Sequence, residues 1–236
     1  MQQPILVTGV GQRAGLHLAS NFLQRGWPLI GTYRRERSSL DGLRDAGADL
    51  YCCDFYREGE LESLIEAVTA TYRGLRAIIH NASDWLPEDG DLPPGEVMQR
   101  MMQVHVQAPY RLNLALAPLL QAAEGQRADI IHIGDYVSGR GSRKHIAYAA
   151  SKAAQDNLTL SFAARLAPTV KVNSIAPALL LFNQGDGAEY REKALAKSLL
   201  RREGGLDEFQ RAVDYLLESD YVTGRILPLD GGRHIA

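Results

Sequence analysis

The chain has 236 residues, 45% of them hydrophobic and 23% charged, which is enough for one well-buried core in a single α/β domain. No apolar run approaches the roughly 20 residues of a membrane span. The formal net charge of -2 comes from interleaved acids and bases, which argues against nucleic-acid and membrane-surface partners and leaves small-molecule chemistry.

In chain order, "MQQPILVTGV" runs straight into an apolar strand with no charged leader, signal-length apolar stretch or cleavage site, so a cytoplasmic protein is expected. "TGVGQRAG", Thr8 to Gly15, links that strand to the helix "GLHLASNFLQRG". Glycines in this context let the backbone turn sharply and bring a pyrophosphate to a helix N-terminus, where free N–H groups and the dipole favour an anion. Gly9, Gly11, Arg13, Ala14 and Gly15 are the candidates, with a tight ligand-free turn as the plainer alternative. The second strand, "PLIGTY", ends in "GTYRRERSS", which puts Tyr33, Arg34, Arg35 and Arg37 where an NAD enzyme carries an acid for the ribose hydroxyls. Arginines suit a 2′-phosphate, so NADPH is expected over NADH; a solvated basic turn, broken by Glu36, is the alternative.

A polar helix ending at "DAGA" leads to the strand "LYCCDF", where Cys52 and Cys53 are neighbours whose mutual disulfide would be strained, and both read as reduced, buried strand residues. There follow the helix "LESLIEAVTATYRG", the strand "LRAIIHNAS", a long helix from about Gly95 to Glu124 and the strand "ADIIHIGDY". A helix from about His145 to Leu166, the strand "VKVNSIAP" and a last strand around "ILPLDGG" complete seven parallel strands with crossover helices. Two polar loops stand out. "LPEDGDLPPG" after Trp85 reads as a surface loop or a mobile pocket edge, and "NQGDGAEYREK" as an irregular, flexible lid.

Tyr148 and Lys152 are four apart on a helix and share a face. A lysine cation beside a phenol favours phenolate, so Lys152 is expected to lower the Tyr148 pKa. Spacing alone is weak evidence, because ten tyrosines make a chance pair common.

"TGVGQRAG", "CCDF", "HNAS", "AYAASKAA", "VNSIAP" and "YVTGRILPLDGG", in this order and spacing, resemble the short-chain dehydrogenases/reductases from about Ile5 to Ile235. The resemblance implies a doubly wound Rossmann sheet, with a cofactor half over about 1–130 and a catalytic and substrate half over about 131–236. It implies NADPH across the strand ends, Tyr148 as proton donor, Lys152 holding the ribose and tuning Tyr148, no metal, and a homotetramer or homodimer. Asp54, Phe55, Asn81, Ala82, Ser83 and Pro177 are carried over as cofactor neighbours, and Leu181 as a substrate neighbour. Arg13 in the glycine loop, Asp135 where serine is usual, and "HNAS" followed by Trp85 are similar to the pteridine reductase branch. There the arginine lies by the cofactor phosphates, Ser83 meets the cofactor, and the aromatic stacks a pterin on the nicotinamide. "HNASDW", "MMQVHVQAPY" and "KVNSIAPALLLFN" look closer still to the bacterial dihydromonapterin reductases, also described as alternative dihydrofolate reductases.

That resemblance implies reduction of a dihydropterin, with Arg13, Ser83, Trp85, Asp135, Tyr148 and Leu181 around it. Asp135 fits this chemistry. An ionised carboxylate would repel the oxyanion that develops when a ketone is reduced, whereas a dihydropterin takes hydride at C6 and a proton at N5 and offers N–H donors at its ring edge. The alternatives are a turn-capping role for Asp135, a carbonyl or oxoacyl reductase, and an NADP(H)-binding sensor without turnover. His105 stands where the wider family often has an asparagine holding a water near the lysine; it either holds that water or hydrogen-bonds within the helix core. Pro177-Ala178 replaces the usual Pro-Gly.

Overall fold

The computed structural model describes residues 2–122 and 127–236. Seven strands form one parallel sheet: β1 (Ile5–Val7), β2 (Leu29–Tyr33), β3 (Asp49–Cys52), β4 (Ala77–His80), β5 (Ala128–Ile133), β6 (Val170–Pro177) and β7 (Ile226–Leu229). Their spatial order is β3-β2-β1-β4-β5-β6-β7, so the chain reverses direction across the sheet between β1 and β4. The loops after β1 and β4 part there, opening a crevice at the carboxyl ends of the strands.

Central strands covered on both sides read as continuous apolar runs. The register sorts their side chains into two layers: Leu6, Ile30, Ile78, Ile130 and Val172 stand in one paired row and pack into one core. Ile5, Val7, Leu29, Ile79 and Ile131 pack into the other. α1 (Arg13–Gln24) covers the second core with Leu18, Ala19 and Phe22, and α8 (Leu206–Glu218) does so with Phe209, Ala212, Val213 and Leu216. Both stripes follow the 3.6-residue period. α2 (Ser39–Asp45) and α3 (Glu58–Thr71) complete the nucleotide half, and α6 (Ile146–Leu166) backs β5 and β6.

Three sequence expectations change. The long helix is α4 (Pro94–Met102), a π-helical turn over Gln103–Gln107, and α5 (Ala108–Gln121); its expected end at Glu124 lies outside the described residues. Residues 183–193 are not wholly irregular, because α7 (Ala188–Leu195) occupies their second half. Alanine, glutamate and lysine favour helix there, with Glu189 in the first turn and its ion pair to Lys193 one turn on. Cys52 is exposed, because β3 is an edge strand; Cys53 is buried, and burial pushes its thiol up to about 12. No helix among the described residues is long and apolar enough to cross a membrane.

At the opposite edge from the crevice, the paired row that starts with Ile5 ends in charge. Asp129 is fully buried, 2.5 Å from an Arg76 guanidinium nitrogen and 2.8 Å from Lys171 Nζ. Lys171 also donates to the carbonyls of Leu216 and Ser219, and Arg76 to that of Leu217, so the triad caps the C-terminus of α8. Asp129→Ala is expected to lower the unfolding free energy by about 3 kcal/mol in a urea titration, because two desolvated cations lose their counter-charge.

Candidate active site at the carboxyl ends of the strands

The residues assigned to the cofactor and substrate from the sequence line one cleft of about 590 Å³, while His105 lies behind its wall. Gly9, Gly11, Arg13, Ala14 and Gly15 come from the turn after β1, and Tyr33, Arg34 and Arg35 from the end of β2. Asp54 and Phe55 follow β3, Asn81, Ala82, Ser83 and Trp85 follow β4, and Asp135 follows β5. Tyr148 and Lys152 project from α6, and Pro177 and Leu181 mark the end of β6.

The glycine loop is shaped by close contact on one side and space on the other. Gly9 has φ 76°, and a Cβ there would sit 2.9 Å from Ala82 Cα; a Cβ on Gly15 would sit 2.1 Å from the Gly9 carbonyl oxygen. Around Gly11 the nearest such neighbour is the flexible Arg37 side chain at 3.6 Å, so room for a ligand remains over the loop. Asn81 Nδ2 donates to the carbonyls of Thr8 and Gly9, and Thr8 Oγ1 accepts from the Ala82 amide, which fixes the loop against the end of β4. No side chain caps α1, so its first amides are free to meet an anion. Arg13, itself at φ 52°, donates to Asn183 Oδ1 at 2.5 Å and to the Leu181 carbonyl, tying this loop to the segment after β6.

The arginines after β2 divide into two pairs. Arg34 donates to Asp84 Oδ2 at 2.9 Å, where Tyr56 Oη also donates. Arg44 is held by Glu36 and Asp41. Arg35 and Arg37 have no ion-pair partner among the described residues and line the cleft, which leaves them for a phosphate. Asp84, Tyr56 and Arg44 escaped the sequence reading because their pairing is set by tertiary approach.

At the other end Tyr148 Oη donates to Asp135 Oδ2 at 2.8 Å, and Asp135 Oδ1 accepts from the Val137 amide at 2.9 Å. Asp135 therefore caps the turn with one oxygen and meets Tyr148 with the other. Burial and the adjacent carboxylate hold the Tyr148 phenol well above the usual tyrosine range. This corrects the expectation that Lys152 would depress it: Asp135 is the phenol's direct partner, and an anion disfavours phenolate. Burial also raises the Asp135 pKa, against the opposing bonds from Val137 and Tyr148. Lys152 is buried, donates to the Ile133 carbonyl at 2.6 Å and Gln155 Oε1 at 3.3 Å, and is lowered by burial to about 8. One ammonium hydrogen is left for the cleft.

Behind Lys152 a buried polar chain continues from the Gln155 carbonyl through Thr159, His132 and Asn113 to His80. Burial keeps both histidines uncharged at neutral pH. His105, in the π-helical turn, hydrogen-bonds Ser83 and Ser151 at 2.8 Å each; of its two expected roles, the contact within the core is the observed one.

Trp85 is 60% exposed and stacks on His145, with ring centroids 4.0 Å apart. The loop after it is docked: Glu88 Oε1 accepts from the Ala147 amide at 2.7 Å and so caps the first turn of α6, where Tyr148 lies. His145 and Glu88 are site-supporting residues with no signature in the sequence. No cluster of His, Cys, Asp or Glu able to hold a metal occurs among the described residues.

A parallel sheet with a glycine turn at its switch point and a Tyr–Lys pair on the helix after β5 defines a nucleotide-dependent oxidoreductase, and the chain belongs to the short-chain dehydrogenase/reductase family. The family model described as enoyl-(acyl carrier protein) reductase matches residues 9–234. Within that family the chain is 54% identical over 231 residues to the dihydromonapterin reductase of Klebsiella pneumoniae, covering 98% of this chain and 96% of that one. It is 53% identical over 232 residues to the Escherichia coli dihydromonapterin reductase, covering 98% and 97%. Among solved structures, the alternative dihydrofolate reductase 1 of Brucella canis, complexed with NADP, superposes with a TM-score of 0.86 at 28% identity, covering 99% of this chain and 94% of that one.

A spectrophotometric pH titration of wild type against Tyr148→Phe is expected to show Tyr148 still un-ionised above the usual tyrosine range. Asp135→Asn should bring the Tyr148 pKa down, because removal of the anion relieves the repulsion.

Proposed function

We propose that this protein is an NADPH-dependent reductase of the dihydropterin C=N bond, acting on dihydromonapterin and more weakly on dihydrofolate. The observation that carries this reading is the Tyr148–Asp135 hydrogen bond beside buried Lys152, in a cleft that opens onto a stacked indole. The 53–55% identity to curated dihydromonapterin reductases supports it from a separate direction.

The residues fit NADPH. Uncapped α1 amides and the open face of Gly11 suit the pyrophosphate, Arg35 and Arg37 the 2′-phosphate, and the remaining Lys152 N–H a ribose hydroxyl. When bound, NADPH supplies hydride to the substrate ring. Tyr148, kept protonated by its surroundings, is the proton donor for N5. Asp135 accepts from the donor edge of the heterocycle and returns a proton to the phenol from water. The face of Trp85 turned from His145 offers a stacking surface for the ring, and Leu181 bounds its side chain. An oxoacyl substrate fits less well, since its developing oxyanion would meet the Asp135 carboxylate.

We extend the proposal to the assembly and its setting. One domain, with its cofactor half near 1–130 and its catalytic half near 131–236, forms a homotetramer or homodimer in the cytoplasm. Exposed Tyr110 and Leu114 on α5 and Leu160 on α6 suit subunit contact, and the free thiols of Cys52 and Cys53 suit a reducing compartment.

The deciding experiment follows NADPH absorbance with dihydromonapterin, dihydrofolate, dihydrobiopterin and a panel of ketones. Oxidation with the dihydropterins is expected; oxidation with ketones alone overturns the reading. Asp135→Asn should lower dihydropterin turnover by about 100-fold or more, while NADPH affinity from fluorescence titration stays within about twofold. Arg35→Ala combined with Arg37→Ala should raise KM for NADPH by about tenfold or more and leave KM for NADH unchanged, because only the 2′-phosphate loses charge-assisted hydrogen bonds.

A further inference from the structure

His105 is completely buried, and hydrogen bonds at both ring nitrogens settle its tautomer. Ser151 Oγ donates to the Tyr148 carbonyl at 2.7 Å, so its single proton is committed. It meets His105 Nδ1 at 2.8 Å as an acceptor, which places the imidazole proton on Nδ1 and a lone pair on Nε2. Ser83 Oγ stands 2.8 Å from Nε2 and donates into that lone pair; the Asp84 carbonyl, at 3.4 Å, is a longer and weaker alternative. The Asp84 amide also points at Nε2 from 3.4 Å. Burial and the Lys152 charge hold the imidazole pKa far below its usual range, so this tautomer persists at physiological pH.

We propose that His105 is a positioning residue that makes Ser83 an acceptor-only group in the cleft wall and so selects a heterocycle presenting amino or N–H donors there. Ser83 lines the same cleft as Asp135, which also has only lone pairs to offer a ligand while it receives the Tyr148 proton. Two acceptors on one rim match a ring edge rich in N–H groups and mismatch a simple oxo compound, whose oxygen brings lone pairs of its own. The inference rests on the dihydropterin reading and adds a determinant of substrate class to it.

The test compares wild type, His105→Phe, His105→Gln, Ser83→Ala and the His105→Phe/Ser83→Ala double variant. The probes are a dihydropterin and its analogue with 2-methyl in place of 2-amino, which removes donors and keeps the shape. Affinity in the presence of NADP is read by titration, and kcat and KM by NADPH absorbance. Preference for the amino ligand is expected to fall by about tenfold or more in His105→Phe, through KM more than kcat, with NADPH affinity nearly unchanged. The double variant should lose no more than Ser83→Ala alone, since the two residues act as one unit. His105→Gln, whose amide keeps one acceptor and one donor, should retain the preference within about threefold. An unchanged affinity ratio in His105→Phe, additive losses in the double variant, or an unchanged ratio in Ser83→Ala if His105→Phe does not fold, overturns the assignment. Failure of wild type to turn over any dihydropterin sinks the functional reading separately, because the affinity ratios are measured without turnover.

Discussion

A phenol and a carboxylate joined by one proton, 2.8 Å apart in a desolvated cleft, set the character of this site. Burial raises the pKa of both groups; the carboxylate makes ionisation of the phenol harder still, while the hydrogen bond from the phenol partly offsets the rise at Asp135. The result is a tyrosine that stays a donor and a carboxyl oxygen that stays an acceptor. Buried Lys152 contributes a nearby charge and one free N–H, but it does not contact the phenol oxygen; its ammonium lies 5.8 Å from the centre of the Tyr148 ring.

The fold serves that pair by bringing rigid element ends to it. Asp135 leaves β5 and is pinned by the Val137 amide, while Tyr148 lies in the first turn of α6, capped by Glu88 from the loop after β4. Lys152 is anchored to a strand carbonyl and backed by a buried chain that reaches His80. The site is thus held by hydrogen bonds from the ends of two strands, β4 and β5, in partly buried surroundings, where such bonds retain more of their strength.

Asp84 joins the two ends of the cleft. One carboxylate oxygen takes Arg34 and Tyr56 at the nucleotide side, and the other takes the Trp85 amide at the stacking side. Arg34 is thereby paired within the protein, while Arg35 and Arg37 along the same turn line the cleft without an ion-pair partner among the described residues.

Periodicity and punctuation in the sequence determined the seven strands, their parallel pairing and the place of the crevice, because these depend on patterns a few residues long. The resemblance of its motifs to the short-chain dehydrogenases/reductases singled out Gly9, Gly15, Asp135, Tyr148 and Lys152, which the structure brings together around one cleft. The π-helical turn at His105, the helix Ala188–Leu195, the exposure of Cys52 and the pairing of Arg34 with Asp84 were decided only in the tertiary structure. So was the direction of the Tyr148 shift. A hydrogen bond between residues 13 apart, competing with a lysine four away, is settled by which atoms reach each other and by how much water is removed, and neither quantity is local to the chain.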